Sequence, residues 1–370
     1  MRVLLVAGAR PNFMKVAPVL RALTRAGHEA RLVHTGQHYD ASMSDAFFQD
    51  LGLPEPDFHL GVGSGSHAVQ TARVMEAFEP VLRETRPAWV VVVGDVNSTL
   101  ACALVTAKLK AETGSRLAHV EAGLRSRDWR MPEEVNRVLT DRLSDLLLTP
   151  SRDALPNLRA EGIEEERIVF VGNVMIDTLL QQLPTAQALE VPRRLGLARG
   201  EYALSTLHRP SNVDAPETLA AVLQALARVA GQMPVVLPLH PRTKKNAEAF
   251  GLEALLQRLV VLEPLGYTEM LSLSEGAAVV LTDSGGLQEE TTALGVPCVT
   301  LREQTERPIT VREGTNRLAP WPLTGAGVYD SFRAALADGR AEAGTRRPDG
   351  WDGQASVRIV AALANAGAPL

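Results

Sequence analysis

Short apolar runs alternate along the chain with longer stretches that have helical patterns. The apolar runs are rich in valine and leucine, and Trp89–Val93 is apolar at every position. Continuous apolar runs of this length are typical of parallel strands that helices cover on both faces. The pattern therefore predicts an α/β fold that is built from βαβ units.

Eleven apolar runs are predicted as strands, and the stretches between many of them as helices. The predicted strands are Val3–Ala7, Glu29–His34, Trp89–Val93, Arg116–Val120, Leu146–Thr149, Ile168–Val171, Tyr202–Thr206, Val235–Leu239, Leu259–Leu262, Ala278–Leu281 and Cys298–Leu301. The predicted helices include Asn12–Ala26, Ser66–Thr85, Ser98–Thr113, Pro132–Ser144, Pro216–Gly231, Gly286–Leu294 and Ala355–Ala366.

The alternation of strands and helices starts again near residue 170, and one short motif is weakly repeated in the two halves. Trp89–Asp95 and Ala278–Asp283 both read as a strand followed by an acidic residue, small residues and a helix. A chain of 370 residues is also too long for one ordinary domain. We therefore expect two Rossmann-like domains facing a cleft, in residues 1–168 and 169–352. We expect a C-terminal helix within residues 353–370 to pack back on the first domain.

Composition narrows the class of protein. The formal net charge of -5 argues against a general nucleic-acid binder, although a local anion site remains compatible with it. Both cysteines, Cys102 and Cys298, lie in apolar stretches, which favours a reducing compartment over a disulfide framework. No run approaches the ~20 apolar residues of a membrane helix, and the apolar start Met1–Gly8 is too short for a signal peptide. A cytoplasmic protein is expected.

Two segments have the pattern of an anion site. In Gly8–Lys15, a predicted strand is followed by a tight turn and a helix, with Arg10 and Lys15 nearby. Backbone N–H groups at a helix N-terminus favour an anion. In Thr282–Glu290, Ser284 can cap a helix while Gly285 and Gly286 let a phosphate approach the backbone. Glu290, one to two turns further on, is suitably placed for two ribose hydroxyls.

A second group consists of titratable residues near strand ends. Asp95 and Glu121 end two predicted strands, and Glu133 lies in the first turn of a predicted helix. Converging carboxylates raise one another's pKa and can transfer protons. The alternative is that the glutamates complement a helix dipole or pair with Arg125 or Arg137.

Three further residues are weaker candidates. His208 follows another strand and can move a proton or contact phosphate, and His240 is a similar but weaker candidate. Arg307 can bind a diphosphate or a carboxylate, with an ordinary surface turn as the alternative.

Taken together and in order, these motifs resemble the non-hydrolysing UDP-N-acetylglucosamine 2-epimerases, and the resemblance covers nearly the whole chain. The motifs that carry it are Gly8-Ala-Arg-Pro11 with Lys15, Thr35-Gly-Gln-His38, Gly94-Asp95, His119-Val-Glu-Ala-Gly-Leu-Arg125, Pro132-Glu-Glu-Val-Asn-Arg137, Gly172-Asn173 with Asp177, His208-Arg209, Thr282–Glu290 and Glu306-Arg-Pro308.

The resemblance implies a GT-B-like fold and reversible inversion at C2 of UDP-GlcNAc, which gives UDP-ManNAc. The implied route is anti elimination of UDP to 2-acetamidoglucal followed by re-addition, with no metal and no NAD. The family also implies a homodimer, a UDP-sugar substrate and a role in cell-surface polysaccharide synthesis. By match, the diphosphate and ribose ligands are Arg10, Ser284, Gly285, Gly286, Arg307 and Glu290. The implied residues around the sugar are Lys15, Asp95, Glu121, Glu133 and His208.

Several departures from the family's pattern leave the sugar open. Asn12 stands where many members have Glu, and residues 126–131 form a short connection that includes Arg127 and Arg130. Relatives with such loops include enzymes for UDP-2,3-diacetamido uronic acids, whose carboxylate those arginines can bind. A surface role for both arginines is the alternative. A GT-B glycosyltransferase that uses the same nucleotide site is a second alternative activity. Tyr39-Asp40 follows Gln37-His38, so the regulatory UDP-GlcNAc site of some members is not assumed.

Overall fold

A computed structural model describes residues 1–37, 51–342 and 345–366, apart from the side chain of Arg10. Tyr39, Asp40 and His38 of the motif above lie outside the described residues. The chain divides into two compact units. The first comprises Met1–Gln181 with Asp349–Leu370, and the second comprises Gln182–Pro348.

The first unit contains a seven-stranded parallel sheet in the order β3-β2-β1-β4-β5-β6-β7. Its strands are β1 (Arg2–Ala7), β2 (Glu29–His34), β3 (Phe58–His59), β4 (Trp89–Val93), β5 (Arg116–Val120), β6 (Leu146–Thr149) and β7 (Ile168–Phe170). Its helices are α1 (Arg10–Arg25), α2 (His67–Thr85), α3 (Asn97–Thr113), α4 (Pro132–Leu143), α5 (Leu155–Ala160) and the start of α6 (Val174–Ala188), with 3-10 turns at Arg152–Ala154 and Glu165–Arg167.

The second unit repeats this topology with six parallel strands in the order β10-β9-β8-β11-β12-β13. Its strands are β8 (Ala203–Thr206), β9 (Val235–Pro238), β10 (Val260–Leu262), β11 (Val279–Thr282), β12 (Cys298–Thr300) and β13 (Asn316–Leu318). Its helices are α7 (Val191–Arg194), α8 (Pro210–Val213), α9 (Pro216–Val229), α10 (Pro241–Ala249), α11 (Glu253–Leu256), α12 (Tyr267–Gly276), α13 (Gly285–Leu294), α14 (Ile309–Arg312) and α15 (Gly325–Asp338).

The strand order of each sheet reverses once. In the first sheet the reversal lies between β1 and β4, and in the second it lies between β8 and β11. Doubly wound sheets bind ligands at this switch point, beyond the carboxyl ends of the strands. The prediction of two parallel-sheet α/β domains is confirmed, and the topology locates one candidate ligand edge in each.

All eleven predicted strands occur, most within one residue of the predicted ends. β3 and β13 were not predicted. β3 is only two residues long, and β13 begins with the polar Asn316 and Arg317, so neither has an apolar run.

The division between the units differs from the one expected at residues 168 and 169. That point falls at the start of β7, which pairs with β6 and so belongs to the first sheet. The division lies instead within α6, between Gln181 and Gln182, and the chain returns to the first unit at Asp349 rather than at residue 353.

The C-terminal helix α16 (Ala355–Asn365) belongs to the first unit. The Asp177 carboxylate accepts hydrogen bonds from the first N–H groups of the helix, at Ala355 (3.0 Å) and Ser356 (2.7 Å). The indole N–H of Trp89 donates to the Leu363 carbonyl oxygen at 3.1 Å. Because free N–H groups at a helix start need an acceptor, Asp177 supplies the cap that α16 lacks in its own sequence.

None of the helices in the described part of the chain combines the length and the apolarity that a membrane crossing requires.

We expect Asp177→Ala to lower the free energy of unfolding of the first unit by about 1–2 kcal/mol, because two buried N–H groups lose their acceptor. Tryptophan fluorescence during denaturant unfolding measures this, since Trp89, Trp129 and Trp351 all lie in that unit. The control is Asp349→Ala, which removes only an exposed ion pair with Arg152. Equal effects of the two substitutions would contradict the capping role.

Candidate active site

Asn12 joins the two turns at the switch point of the first sheet. Its side-chain oxygen accepts hydrogen bonds from the N–H groups of Gly8 and Ala9, both at 3.1 Å, directly after β1. Its amide donates to the carbonyl oxygen of Val93, at the end of β4, at 3.1 Å. The residue that departs from the family's pattern therefore holds the two strand ends together.

Lys15 and Glu121 form a buried ion pair beside the same turns. Glu121 has a φ of 71°, a conformation that is strained for a residue with a side chain. Gly94 has a φ of 66°, which favours glycine, and a Cβ atom there would lie 2.9 Å from the Lys15 ammonium nitrogen. The structure thus brings Lys15, Glu121 and the Gly94–Asp95 turn together.

Asp95 is held by Arg137, and Arg137 in turn by Glu134. The Asp95 carboxylate accepts from Arg137 Nε at 3.0 Å and from Nη2 at 2.8 Å. Glu134 is buried, pairs with Arg137, and accepts from the N–H groups of Ser126 (2.9 Å) and Arg127 (2.7 Å). Glu134 therefore fixes both Arg137 and the start of the 126–131 connection.

Glu133 differs from its neighbour. It is half-buried, and within the described residues its carboxylate has no hydrogen bond or ion pair. The suggested salt bridge to Arg137 belongs to Glu134 instead, because successive helical residues point about 100° apart. Arg125 pairs with Asp141 and Glu161 rather than with Glu121 or Glu133.

Asp283 organises the switch point of the second sheet. This buried carboxylate accepts from the N–H groups of His208 (3.0 Å) and Arg209 (2.9 Å), which follow β8, and pairs with His208 Nδ1 at 2.8 Å. Burial alone would raise the pKa of Asp283, but the hydrogen bonds and charge of His208 lower it below its usual value. An ionised Asp283 therefore orients the half-exposed His208 ring.

The N-terminus of α13 is covered by an arginine. Ser284 occupies the cap position, but its hydroxyl makes no capping hydrogen bond, so the predicted capping role of the side chain is wrong. A Cβ atom on Gly285 would lie 2.7 Å from Nη1 of Arg307, so the glycine lets the guanidinium come this close to the backbone. Gly286 follows in the first turn of the helix.

Arg307 belongs to a cluster of guanidinium groups around Glu306. Glu306 pairs with Arg307 Nη1 at 2.6 Å and with Arg302 Nη2 at 2.8 Å, and it lies 4.0 Å from Arg209 Nη2. Glu289 contacts Arg307 Nε at 3.0 Å. Three guanidinium groups against two carboxylates leave a net positive charge beside a helix N-terminus, which favours an anion. Arg302 was not singled out in the sequence, because an isolated arginine in a loop carries no motif.

Glu290 lies one turn into α13 and is buried, with 5% of its surface exposed. Burial, followed by the charge of Glu289, raises the pKa of Glu290 to about 8. Tyr267 makes a hydrogen bond with Glu290, and burial raises the pKa of the Tyr267 hydroxyl well above its usual value. At neutral pH Glu290 is therefore mainly a neutral acid that can both donate to and accept from hydroxyl groups.

The described residues hold no group of three or more His, Cys, Asp or Glu side chains that can bind a metal ion. Arg10 begins α1, and its side chain is not among the parts that the structure describes. The other predicted site residues fall into two groups, one at the switch point of each sheet.

Two doubly wound parallel sheets, one with a cationic helix N-terminus at its switch point, define the class of nucleotide-binding α/β enzymes. The family described as UDP-N-acetylglucosamine 2-epimerase matches residues 21–364. The chain belongs to this family, and its fold is GT-B-like as the resemblance implied. This assignment favours the epimerase over the glycosyltransferase alternative.

Three relatives illustrate the similarity. A UDP-N-acetylglucosamine 2-epimerase of Methanocaldococcus jannaschii is 43% identical over 326 residues, which cover 86% of this chain and 88% of the relative. A UDP-2,3-diacetamido-2,3-dideoxy-D-glucuronate 2-epimerase of Pseudomonas aeruginosa is 43% identical over 375 residues, with coverage of 98% and 99%. The crystal structure of Methanocaldococcus jannaschii UDP-GlcNAc 2-epimerase in complex with UDP-GlcNAc and UDP has a TM-score of 0.87 at 40% identity and covers 99% of this chain and 100% of that chain.

The raised pKa of Glu290 predicts a pH-dependent effect of Glu290→Gln on stability. Below about pH 4.5 the carboxyl is protonated in both the folded and the unfolded chain. Between 4.5 and about 8 only the unfolded chain loses the proton, so Glu290 increasingly destabilises the fold. We define the Tm difference as the Tm of the variant minus that of the wild type. We expect this difference to be at least about 3 °C larger at pH 9 than at pH 5.

Thermal unfolding at both pH values measures this difference, and glutamine keeps an acceptor for the Tyr267 hydroxyl. The matched control is the exposed Glu253→Gln in the same unit. A Tm difference that stays constant with pH would contradict the buried, proton-retaining state of Glu290.

Proposed function

We propose that the chain catalyses the reversible epimerisation of UDP-GlcNAc at C2 to UDP-ManNAc. The observation that carries the proposal is the buried Lys15–Glu121 pair beside Asp95 in the first unit. The second unit adds the arginine-covered N-terminus of α13. The first group can transfer protons, and the second can receive the negatively charged diphosphate leaving group. Membership of the family supports the same reaction.

The reaction separates into an elimination and an addition. A base takes the hydrogen from C2 while the bond between C1 and the diphosphate oxygen breaks, so that UDP leaves with the electron pair and 2-acetamidoglucal remains. UDP then adds back to C1, and a proton returns to C2 on the opposite face. Because the proton leaves one face and arrives on the other, two proton-handling positions are needed.

The chain's residues fit these tasks by charge and burial. Asp95, Glu121 and Glu133 are the proposed proton-handling carboxylates, and His208 is proposed as a further titratable residue of the reaction. Lys15 neutralises Glu121 when that carboxylate is ionised. Carboxylates also stabilise the positive charge that develops on the sugar ring as the diphosphate departs.

A second set of residues is proposed to bind UDP. The backbone N–H groups of Gly285 and Gly286 in the first turn of α13 favour an anion, and Arg307 adds a full charge next to them. Ser284 is proposed as a ligand through its hydroxyl. Arg10 is proposed to contribute a further cation. Glu290, as a neutral acid, is suited to the two ribose hydroxyls. A homodimer, a cytoplasmic location and a role in cell-surface polysaccharide synthesis remain parts of the proposal.

A UDP-2,3-diacetamido uronate is the second candidate substrate. It is favoured by the Pseudomonas aeruginosa relative, which is as similar to this chain as the archaeal epimerase and is matched over nearly its full length. Arg127 and Arg130 are both exposed, and Arg130 is bonded to Asp128 at 2.8 Å. That bond favours a surface role for Arg130, so UDP-GlcNAc remains the first candidate.

Incubation with UDP-GlcNAc in deuterated water tests the proposal. We expect NMR to show deuterium at C2 and a mixture of UDP-GlcNAc and UDP-ManNAc, because the C2 hydrogen exchanges with solvent through the protein base. Parallel incubation with the diacetamido uronate decides between the two substrates. Turnover without deuterium, or stoichiometric release of UDP, would overturn the proposed route.

We expect Glu121→Gln to slow C2 exchange by about 10²- to 10⁴-fold, because glutamine cannot transfer a proton. Its UDP affinity by titration calorimetry should stay within about threefold of the wild type, since UDP is assigned to other residues. The control is the exposed Glu76→Gln on α2. Loss of UDP binding in a Glu121→Gln variant that still unfolds cooperatively would count against the assigned role.

A further inference from the structure

His119, near the end of β5, is fully buried, and both nitrogens of its ring face hydrogen-bond acceptors. Nδ1 lies 2.6 Å from Oδ1 of Asp141, and Nε2 lies 2.8 Å from the carbonyl oxygen of Gly94. A carbonyl oxygen has no hydrogen to donate, so Nε2 of His119 must be the donor in the second contact.

The partner at Nδ1 is an ionised carboxylate. Asp141 is fully buried on α4 and also accepts from Arg125 Nη1 at 2.8 Å and from the N–H group of Gly123 at 3.0 Å. These two donors, a guanidinium and a backbone N–H group, stabilise the ionised form of the carboxylate independently of His119. An ionised carboxylate only accepts, so Nδ1 of His119 must donate as well.

A doubly protonated imidazole meets an acceptor at each of its two nitrogens. Arg125 is also bonded through two nitrogens to Glu161, each at 2.7 Å. The cluster then contains two cations, His119 and Arg125, and two anions, Asp141 and Glu161. The nearby Lys15–Glu121 pair is neutral by itself. A ring without a hydrogen on Nδ1 would instead set its lone pair 2.6 Å from the Asp141 carboxylate oxygen, which is unfavourable.

The ring also connects the two turns that carry the proposed proton-handling carboxylates. The Gly94 carbonyl that it binds belongs to the peptide bond before Asp95. Glu121, with its strained φ, comes two residues after His119, and the Gly123 N–H that Asp141 binds comes two residues later. A hydrogen-bonded ring at this place restrains both turns at once.

We propose that His119 is a buried imidazolium that positions Asp95 and Glu121. It is a positioning residue, because a side chain without exposed surface cannot reach a substrate. The positioning part rests on the proposed function, whereas the protonation state of the ring does not.

Nitrogen-15 NMR of the full chain with labelled histidine tests the protonation state. The chain has eight histidines, and the His119→Gln and Asp141→Asn variants identify the His119 signals. At about pH 7.5, where ordinary imidazoles are mostly neutral, we expect both His119 nitrogens to show a bonded hydrogen. In Asp141→Asn we expect Nδ1 to lose its hydrogen. A wild-type ring with only one bonded hydrogen would overturn the proposal.

Kinetics of Asp141→Asn test the positioning role. We expect kcat for epimerisation to fall about 10²-fold with KM changed by less than about threefold, because misplaced catalytic groups slow the chemical step more than binding. The matched control is Thr140→Val, one residue earlier on α4. It removes a buried hydroxyl that has no hydrogen-bond partner in the described part of the chain, so activity should be retained.

Unchanged kcat in Asp141→Asn would overturn the positioning role. A wild-type chain that epimerises neither UDP-sugar would instead contradict the proposed function, and the NMR result would still decide the state of His119.

Discussion

The constraint on which the whole arrangement depends is that all strands of each sheet are parallel, so their carboxyl ends share one edge. At the point where the strand order reverses, the connections on either side lead away from each other and leave room for polar side chains. The chain uses this room in both units. Asn12 connects the ends of β1 and β4, and Asp283 connects the ends of β8 and β11. The chemistry that we assign to the protein is concentrated at these two edges.

The two edges differ in their electrostatics. In the first unit, each buried charge near the switch point has a partner, as in the Lys15–Glu121 pair and the cluster around His119. Because each charge has a partner of opposite sign, these groups can exchange protons without leaving an unpaired charge buried in the protein. In the second unit three guanidinium groups share Glu306, so the surface beside α13 is suited to an incoming anion. The difference agrees with proton transfer at one edge and binding of a departing diphosphate at the other.

Much of the fold was predictable because strand signals such as Trp89–Val93 are local and apolar. The motif residues Asp95 and Glu121 carry a local signal because each follows a strand, and Lys15 lies in the helix after β1. The sequence could not distinguish Glu133 from Glu134, because which of two adjacent helical residues turns inward depends on tertiary packing. The roles of Asn12, Asp283 and Arg302 were missed for a related reason. Their partners lie far away in the sequence, and nothing local to these residues indicates which groups they will meet.

A crystal structure of the chain with UDP tests the central claim most directly. The account predicts that the diphosphate lies against the N-terminus of α13 with Arg307 as a ligand, and that the ribose hydroxyls bond to Glu290. UDP bound at any other edge of either sheet, with the Ser284–Gly286 turn unoccupied, would contradict it.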